Sequence, residues 1–595
     1  MAKTFLTNNV EYHNIVKKTS VDSGFIKYNE MSSQSINVLV FNKLKIDNEN
    51  FIQIGKNFVS VSGTFIYDGL INNIGLHKLY DDFNHDINLT RKLLIGNYLI
   101  TIKKDGILYI LGDENSIYNI NYYYDENHWI ISNNIFDIAN QIKERITVNE
   151  LNLLEEVFQN TIINNETIFN NIMKLMGTEY IRINLIDNDF TIENYMTKVP
   201  IKRDVNYLEK LDNLVSIIQN NVTAISNNFK KITISMTGGL DSRIVLSSYL
   251  NAKVKPNIIY GIGNSTITNT DNQDLRINEI YKNEFTLNFT KMNWNTPTII
   301  DKDWEHYYKK YGIYSRVYGG SNNVFESLEN LTNTDFVDFG YFGETLRNLD
   351  WPENTNTYFS LNEYLDEFYI KKELQFTIDS KTYNKFRKKI YQKYLIICTE
   401  NNLKYEKIHQ DDFQILHNEY RKGADNAMLN LINSSFYSIN LLSIKEIERQ
   451  ILTFTFKEKT NMRLIIELLN KLYPKSLSIP IYSHCTMYKL NKKTLLLQKT
   501  KKENMLYTLK NIVIKFVYNK KLFYLLKIIY RYLNNKLSKK KNSHTDMDLY
   551  KFCRNKLKNN SINFINSEKY IANVGVFLKY TQILEMLSIM KNRKE

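Results

Sequence analysis

The run Lys230-Lys231-Ile232-Thr233-Ile234-Ser235-Met236-Thr237-Gly238-Gly239-Leu240-Asp241-Ser242-Arg243 constrains this chain more than any other stretch. Its β-branched residues predict a short strand, its paired glycines a tight turn, and Ile244, Val245, Leu246, Tyr249 and Leu250 a helix. Adjacent glycines let a backbone approach a ligand and turn its N–H groups toward it. The following helix adds free N–H donors and the positive end of its dipole. Thr237 and Ser242 supply hydroxyls, and Asp241 a carboxylate of the kind that holds Mg²⁺ beside a polyphosphate. Strand, glycine turn and helix together make an anion cradle. The run lacks the spacing and lysine of a P-loop and is not G-x-G-x-x-G. An ordinary strand–Gly–Gly–helix connection is the bland alternative.

Ser235 to Ser242 resembles the S-G-G-x-D-S pyrophosphate loop of ATP-pyrophosphatase enzymes, with Thr237 in place of the first Ser, and the context resembles the asparagine synthetase family. The resemblance implies ATP and Mg²⁺ as cofactors. Ser235, Thr237, Gly238, Gly239, Asp241 and Ser242 would hold the phosphates. Gly261, at the end of an expected strand over 257–261, would lie beside the adenine with Tyr260 and Ile262.

A second run, Thr334 to Arg347, reads as a short strand ending at Gly340 and Gly343 and brings Glu344 to the same sheet edge as Asp241. Two carboxylates facing a triphosphate are what Mg²⁺ bridging needs. The family carries G-E-G-x-D-E here, so Glu344 matches its metal-holding Asp. Tyr341 falls where the beta-lactam synthetase branch has a Tyr used in proton removal; packing against the site is its other reading. Glu419-Tyr420-Arg421 resembles an E-x-R helix lining the substrate pocket, and could equally be separate surface charges. The R-x-P-F-L-D phrase that follows in the family is replaced by Ser438 to Ser443. Leu472 to Pro480 resembles a late phrase after which synthetases place a Lys. Tyr482 stands there instead, leaving Lys475 and Lys489 as weak substitutes.

At 595 residues the chain is long enough for several cored domains, and 43% hydrophobic residues make it globular. Over residues 1–200, hairpins dominate. Val59–Tyr67, Tyr98–Lys103 and Ile107–Leu111 (joined across Lys104-Asp105-Gly106), Tyr122–Tyr124 with Trp129–Ser132, and Tyr180–Ile186 with Phe190–Tyr195 predict stacked antiparallel sheets, with one helix over Leu151–Phe158. Their order resembles the glutamine-hydrolysing Ntn domain of asparagine synthetase. That domain's nucleophile is an N-terminal Cys; here Ala2 follows Met1 and no Cys precedes Cys398. A methyl group cannot replace a thiolate, so the expectation is a degenerate α+β glutaminase-like domain without ammonia-generating chemistry.

Residues 201–490 alternate strands and helices, which predicts a doubly wound α/β domain with its ligand at the carboxyl ends of the strands. Residues 491–595 form a basic helical extension. From Lys489 to Lys541 sixteen Lys and Arg meet the single acid Glu503, so the rest of this +14 chain is nearly neutral. That distribution argues against a nucleic-acid protein. A packed amphipathic face, a membrane surface or an acidic leader peptide remain open partners, and a homodimer is possible. Ile512–Leu533 is too interrupted by Lys and Arg to span a membrane. Three scattered Cys, and an N-terminus without the apolar core of a signal peptide, make a cytoplasmic location the expectation. The function expected is adenylation of a carboxylate and amide formation without glutamine hydrolysis, in specialised-metabolite or modified-peptide biosynthesis. The alternative is a catalytically silent relative that binds nucleotide or scaffolds a partner.

Overall fold

The computed structural model describes residues 3–195, 201–263, 269–294, 330–348, 357–371, 374–483, 486–491 and 496–499. Of the basic extension expected to be helical over 491–595, the described residues are Asn491, which ends strand Thr486–Asn491, and Leu496–Lys499, a strand antiparallel to it rather than a helix; the remainder, with the partner readings attached to it, lies outside the described residues. Among the described residues no helix is long and apolar enough to cross a membrane.

The N-terminal half is built from β1 (Lys3–Thr7), β2 (Tyr28–Ser32), β3 (Asn37–Phe41), β4 (Phe51–Ile54), β5 (Asn57–Tyr67), β6 (Leu94–Lys104), β7 (Ile107–Gly112), β8 (Asn121–Tyr124), β9 (Trp129–Ser132), β10 (Met173–Lys174), β11 (Glu179–Asn184) and β12 (Asp189–Asn194). They form two six-stranded sheets, ordered β10-β8-β9-β1-β3-β2 and β12-β11-β7-β6-β5-β4. Side-chain alternation sorts the core. Phe5, Leu39, Phe41 and Ile130 face helix Val10–Asp22, where Val16 meets them. Leu6, Val38, Val40 and Ile131 face the other sheet through Val59, Val61, Ile100 and Ile110. Asp105 and Gly106 both take positive φ, the turn that joins β6 to β7 with the right strand twist. The many asparagines have a local use: Asn9, Asn134, Asn149 and Asn206 each cap a helix through the side-chain oxygen.

The second half is organised on a parallel sheet. β13 (Ile232–Ser235), β14 (Asn257–Gly263), β15 (Phe289–Trp294), β16 (Phe336–Phe339) and the short strand Tyr437–Ser438 lie in the order β15-β14-β13-β16-Tyr437–Ser438, all parallel. The chain runs outward from β13 in one direction and then returns to its other side, so the strand order reverses there. Helices Tyr207–Asn228, Asp241–Asn251 and Arg463–Leu472 cover this sheet through Leu214, Ile218, Ile244, Leu246, Ile465 and Leu469. The replaced Ser438–Ser443 phrase has a structural role that periodicity could not show: it begins in the edge strand and continues as a short helical turn.

The halves meet across a buried polar seam. Asn433 accepts a hydrogen bond from Thr64 Oγ1 at 2.6 Å and donates to the carbonyls of Leu429 and Ser438, while its own carbonyl accepts from Lys43 Nζ at 2.7 Å. Thr64 Oγ1 in turn accepts from the Ser438 amide. Asn115 reaches the Ser443 carbonyl at 2.6 Å. Such a seam costs little while every partner is present and a great deal when one is removed.

Asp338 on β16 locks the sheet to the helix after β13. Its carboxylate accepts from Tyr249 Oη at 3.0 Å and from the amides of Phe339 and Leu441. Burial pushes this carboxyl up to about 7, ahead of the opposing pull of those donors. The folded chain therefore keeps a proton, from about pH 4 to about 7, that the unfolded chain has lost. Stability should fall as pH rises through that window and level off above it. Asp113 and Asp241 shift the same way, to about 6. Asp338→Asn should therefore remove part, not all, of the downward slope of melting temperature between pH 4 and 7. An unchanged slope would show that Asp338 is ionised when folded.

Candidate functional site

The parallel register sets Ser235 beside Phe339, so the loops leaving β13 and β16 emerge together at the carboxyl edge of the sheet. The first is held by its own side chains. Ser242 Oγ accepts from the Thr237 amide at 3.1 Å, and Thr237 Oγ1 accepts from the Gly239 amide at 3.3 Å. The Gly238 amide donates to Asp274 Oδ1 at 2.6 Å. Three N–H groups expected to face a ligand are thus occupied from within the chain. The helix that follows, Asp241–Asn251, has no side-chain cap at Leu240, so its first amides are not taken up by a capping side chain.

The second loop presses directly on the first. A side chain at Gly340 would put its Cβ 2.3 Å from the Ser242 amide nitrogen, and one at Gly343 would lie 2.4 Å from Asp241 Cβ. Between them Phe342, which stands where the G-E-G pattern has its second glycine, takes φ +65°. A bulky residue in the left-handed region is strained by about 1–3 kcal/mol and persists where its surroundings dictate it.

This approach assembles a four-membered charge cluster. Arg347 Nη2 donates to Asp241 Oδ2 at 2.6 Å, and Glu344 pairs with Arg421, which arrives on helix Phe413–Asn433. The structure therefore joins Glu344 and Arg421, residues that the sequence offered separately. Burial pushes the Asp241 carboxyl up, with Arg347 opposing and Glu344 adding to the shift. Asp241 Oδ1 is buried and accepts no hydrogen bond. A buried carboxylate oxygen without a donor is an arrangement a cation completes. Among the described residues no group of three or more His, Cys, Asp or Glu assembles for a metal. Magnesium, however, keeps waters and phosphates among its ligands and needs only one or two carboxylates. Asp241 and Glu344 fit it on that basis.

The remaining expected residues divide. Ser242 is buried and acts on the loop itself. Tyr341 is half-buried, with its ring stacked on Phe339 at a centroid separation of 5.5 Å. Tyr260 Oη donates to Asp274 Oδ2, while Gly261 and Ile262 lie in β14 opposite Met292 and Asn293 of β15. Glu419 pairs with Lys422, which together with Lys445 also reaches the buried Glu448. Lys475 is exposed. Lys489 lies on strand Thr486–Asn491 and Tyr482 on strand Ile481–Ser483, but their side chains are outside the described set.

Three residues were invisible in the sequence. Asp274 caps the loop from a different helix, and Arg347 follows a motif that assigns it nothing. Arg243 is fully buried and donates to the carbonyls of Ser476, Ile479 and Pro480 at 2.7–3.0 Å, tying the late phrase to the loop helix.

No known protein family matches the chain, and no curated protein does. Solved structures give distant likenesses. Glutamine phosphoribosylpyrophosphate amidotransferase from B. subtilis, complexed with ADP and GMP, is 7% identical over 49% of this chain and 90% of its own, at a TM-score of 0.24. Glutamine-dependent NAD+ synthetase from Acinetobacter baumannii in complex with ADP is 14% identical over 33% of this chain and 42% of its own, at 0.17. The U34-tRNA thiolase NcsA from Methanococcus maripaludis is 12% identical over 34% and 84%, at 0.17. Scores this low carry no argument about fold or function, and the reading below rests on the site's own residues.

Gly340→Ala should force the two loops apart, costing about 1–3 kcal/mol of stability in a denaturant titration. Alanine at Gly340 with no loss of stability would mean the loops have room to separate.

Proposed function

We propose that this chain is an ATP-dependent ligase that adenylates a carboxylate, releases pyrophosphate and passes the acyl group to an amine. The observation that carries the reading is the junction of the two loops, which sets Asp241, with its donorless Oδ1, and Glu344 at one sheet edge, beside the uncapped start of helix Asp241–Asn251. A nucleotide seated there would lay its β- and γ-phosphates on those amides. A substrate carboxylate oxygen would attack the α-phosphorus as the bond to the bridging oxygen breaks. Pyrophosphate would leave, and the amine would then displace AMP. Mg²⁺ held by Asp241 and Glu344 would neutralise phosphate charge. The first amides of the helix contribute by preorganised electrostatics rather than by covalent catalysis. Tyr341 is the proposed proton acceptor from the amine, and Lys489 a proposed cation for the adenylate. Family likeness to asparagine synthetase, the α+β glutaminase-like character of the N-terminal half, and a carboxylate substrate on a small molecule or peptide belong to the same proposal.

One observation favours a second reading, a silent nucleotide-binding or scaffold protein. Three loop amides and both carboxylates are already committed within the chain. Pyrophosphate release from ATP and Mg²⁺ across a panel of amino acids and short peptides separates the two. The ligase should release pyrophosphate with at least one acid, and Asp241→Ala should lower that rate by roughly a hundredfold or more. No release with any acid, together with no nucleotide binding, would sink the enzyme reading and leave the scaffold.

A further inference from the structure

The Asp241–Arg347 pair is only half used. One bond of 2.6 Å joins Nη2 to Oδ2, while Arg347 Nε on one side and Asp241 Oδ1 on the other are both buried without a hydrogen-bond partner. The Arg347 side chain is 12% exposed. An arginine and a carboxylate that serve only each other normally meet fork to fork, which satisfies both atoms left idle here. Leaving such a donor buried and unpaired costs about 1–3 kcal/mol. Arg347 therefore sits at an ion-pair geometry set by something other than its own stability.

The charge balance indicates what is missing. Asp241 and Glu344 are matched by Arg347 and Arg421, so the cluster is neutral as it stands. A cation joining the two carboxylates would leave these four side chains positive, and Arg347 would then lack its counter-charge. Lys475, a weak candidate for the expected lysine, is exposed. Arginine, always charged and presenting a planar fork of donors, suits a phosphate better than a lysine does.

Building on the ligase reading, we infer that Arg347 is a phosphate-binding residue of this site, held on Asp241 until the nucleotide's phosphates arrive. Its neighbours already shield it from water, so it needs little reorganisation to engage an anion.

The test uses the full chain and measures binding of inorganic pyrophosphate, and of ATP with Mg²⁺, by calorimetry. Arg347→Gln should weaken both by roughly tenfold or more, and Arg347→Lys should restore part of the loss. Without Mg²⁺, Asp241→Asn should bind pyrophosphate more tightly than wild type, because the guanidinium no longer has a carboxylate to hold it. The double variant Asp241→Asn/Arg347→Gln should lose that gain. It keeps a neutral hydrogen-bonding pair, so it decides the matter if Arg347→Gln alone unfolds by leaving Asp241 buried and unpaired. Unchanged pyrophosphate affinity in folded Arg347→Gln, or a gain that survives in the double variant, would overturn the inference and leave the ligase reading standing. A wild-type chain that binds neither pyrophosphate nor ATP would overturn both.

Discussion

The backbone contact between the loop after β13 and the loop after β16 is the constraint on which the site depends. It is not a favourable interaction in itself. It is a clearance that only glycine provides, at Gly340 against the Ser242 amide and at Gly343 against Asp241. Without it, Glu344 and Arg347 would stand farther from Asp241 and the charge cluster would not close. The parallel register of β13 and β16 brings the loops near, and Asp338 with Tyr249 keeps the helix from tilting away. Strand order then places the contact beside β13, where the order of the parallel sheet reverses.

Electrostatics explains why such a cluster is tolerated. An ionised carboxylate taken out of water without a partner costs more than any one packing contact returns, so it pairs or takes up a proton. Asp241 shows both tendencies, since Arg347 stabilises its ionised form while burial raises its proton affinity. Two acids and two arginines balance one another at this edge, and the Asp241–Arg347 pair leaves Oδ1 and Nε without a partner.

Much of this was legible in the chain, for identifiable reasons. The hairpins of the first half were readable because β5, β6 and β7 are long and their turns carry Asp105-Gly106 chemistry. β1 and β3 escaped notice because strands buried on both faces do not alternate in polarity. The Thr237–Ser242 loop and its helix were evident, since a glycine pair between a β-branched run and an apolar-periodic run has few other solutions. What that loop does with its amides was not evident, because Asp274 reaches it through the fold rather than along the sequence. Strand Tyr437–Ser438 is two residues long, below any periodicity.

Arg243 has a consequence for modularity. The Arg243 guanidinium gives its two terminal nitrogens to the carbonyls of Ser476, Ile479 and Pro480, lies 5.3 Å from the centre of the Tyr281 ring and pairs with no carboxylate among the described residues, so those oxygens help make its charge bearable inside the core. Hydrogen bonds to a charged group contribute about 1.5–3 kcal/mol each, comparable to the several kcal/mol needed to dehydrate the ion. The late segment is therefore not an appendage that could be exchanged while the helix after β13 stays as it is. Any exchange that separates Arg243 from residues 476–480 would strand a buried positive charge.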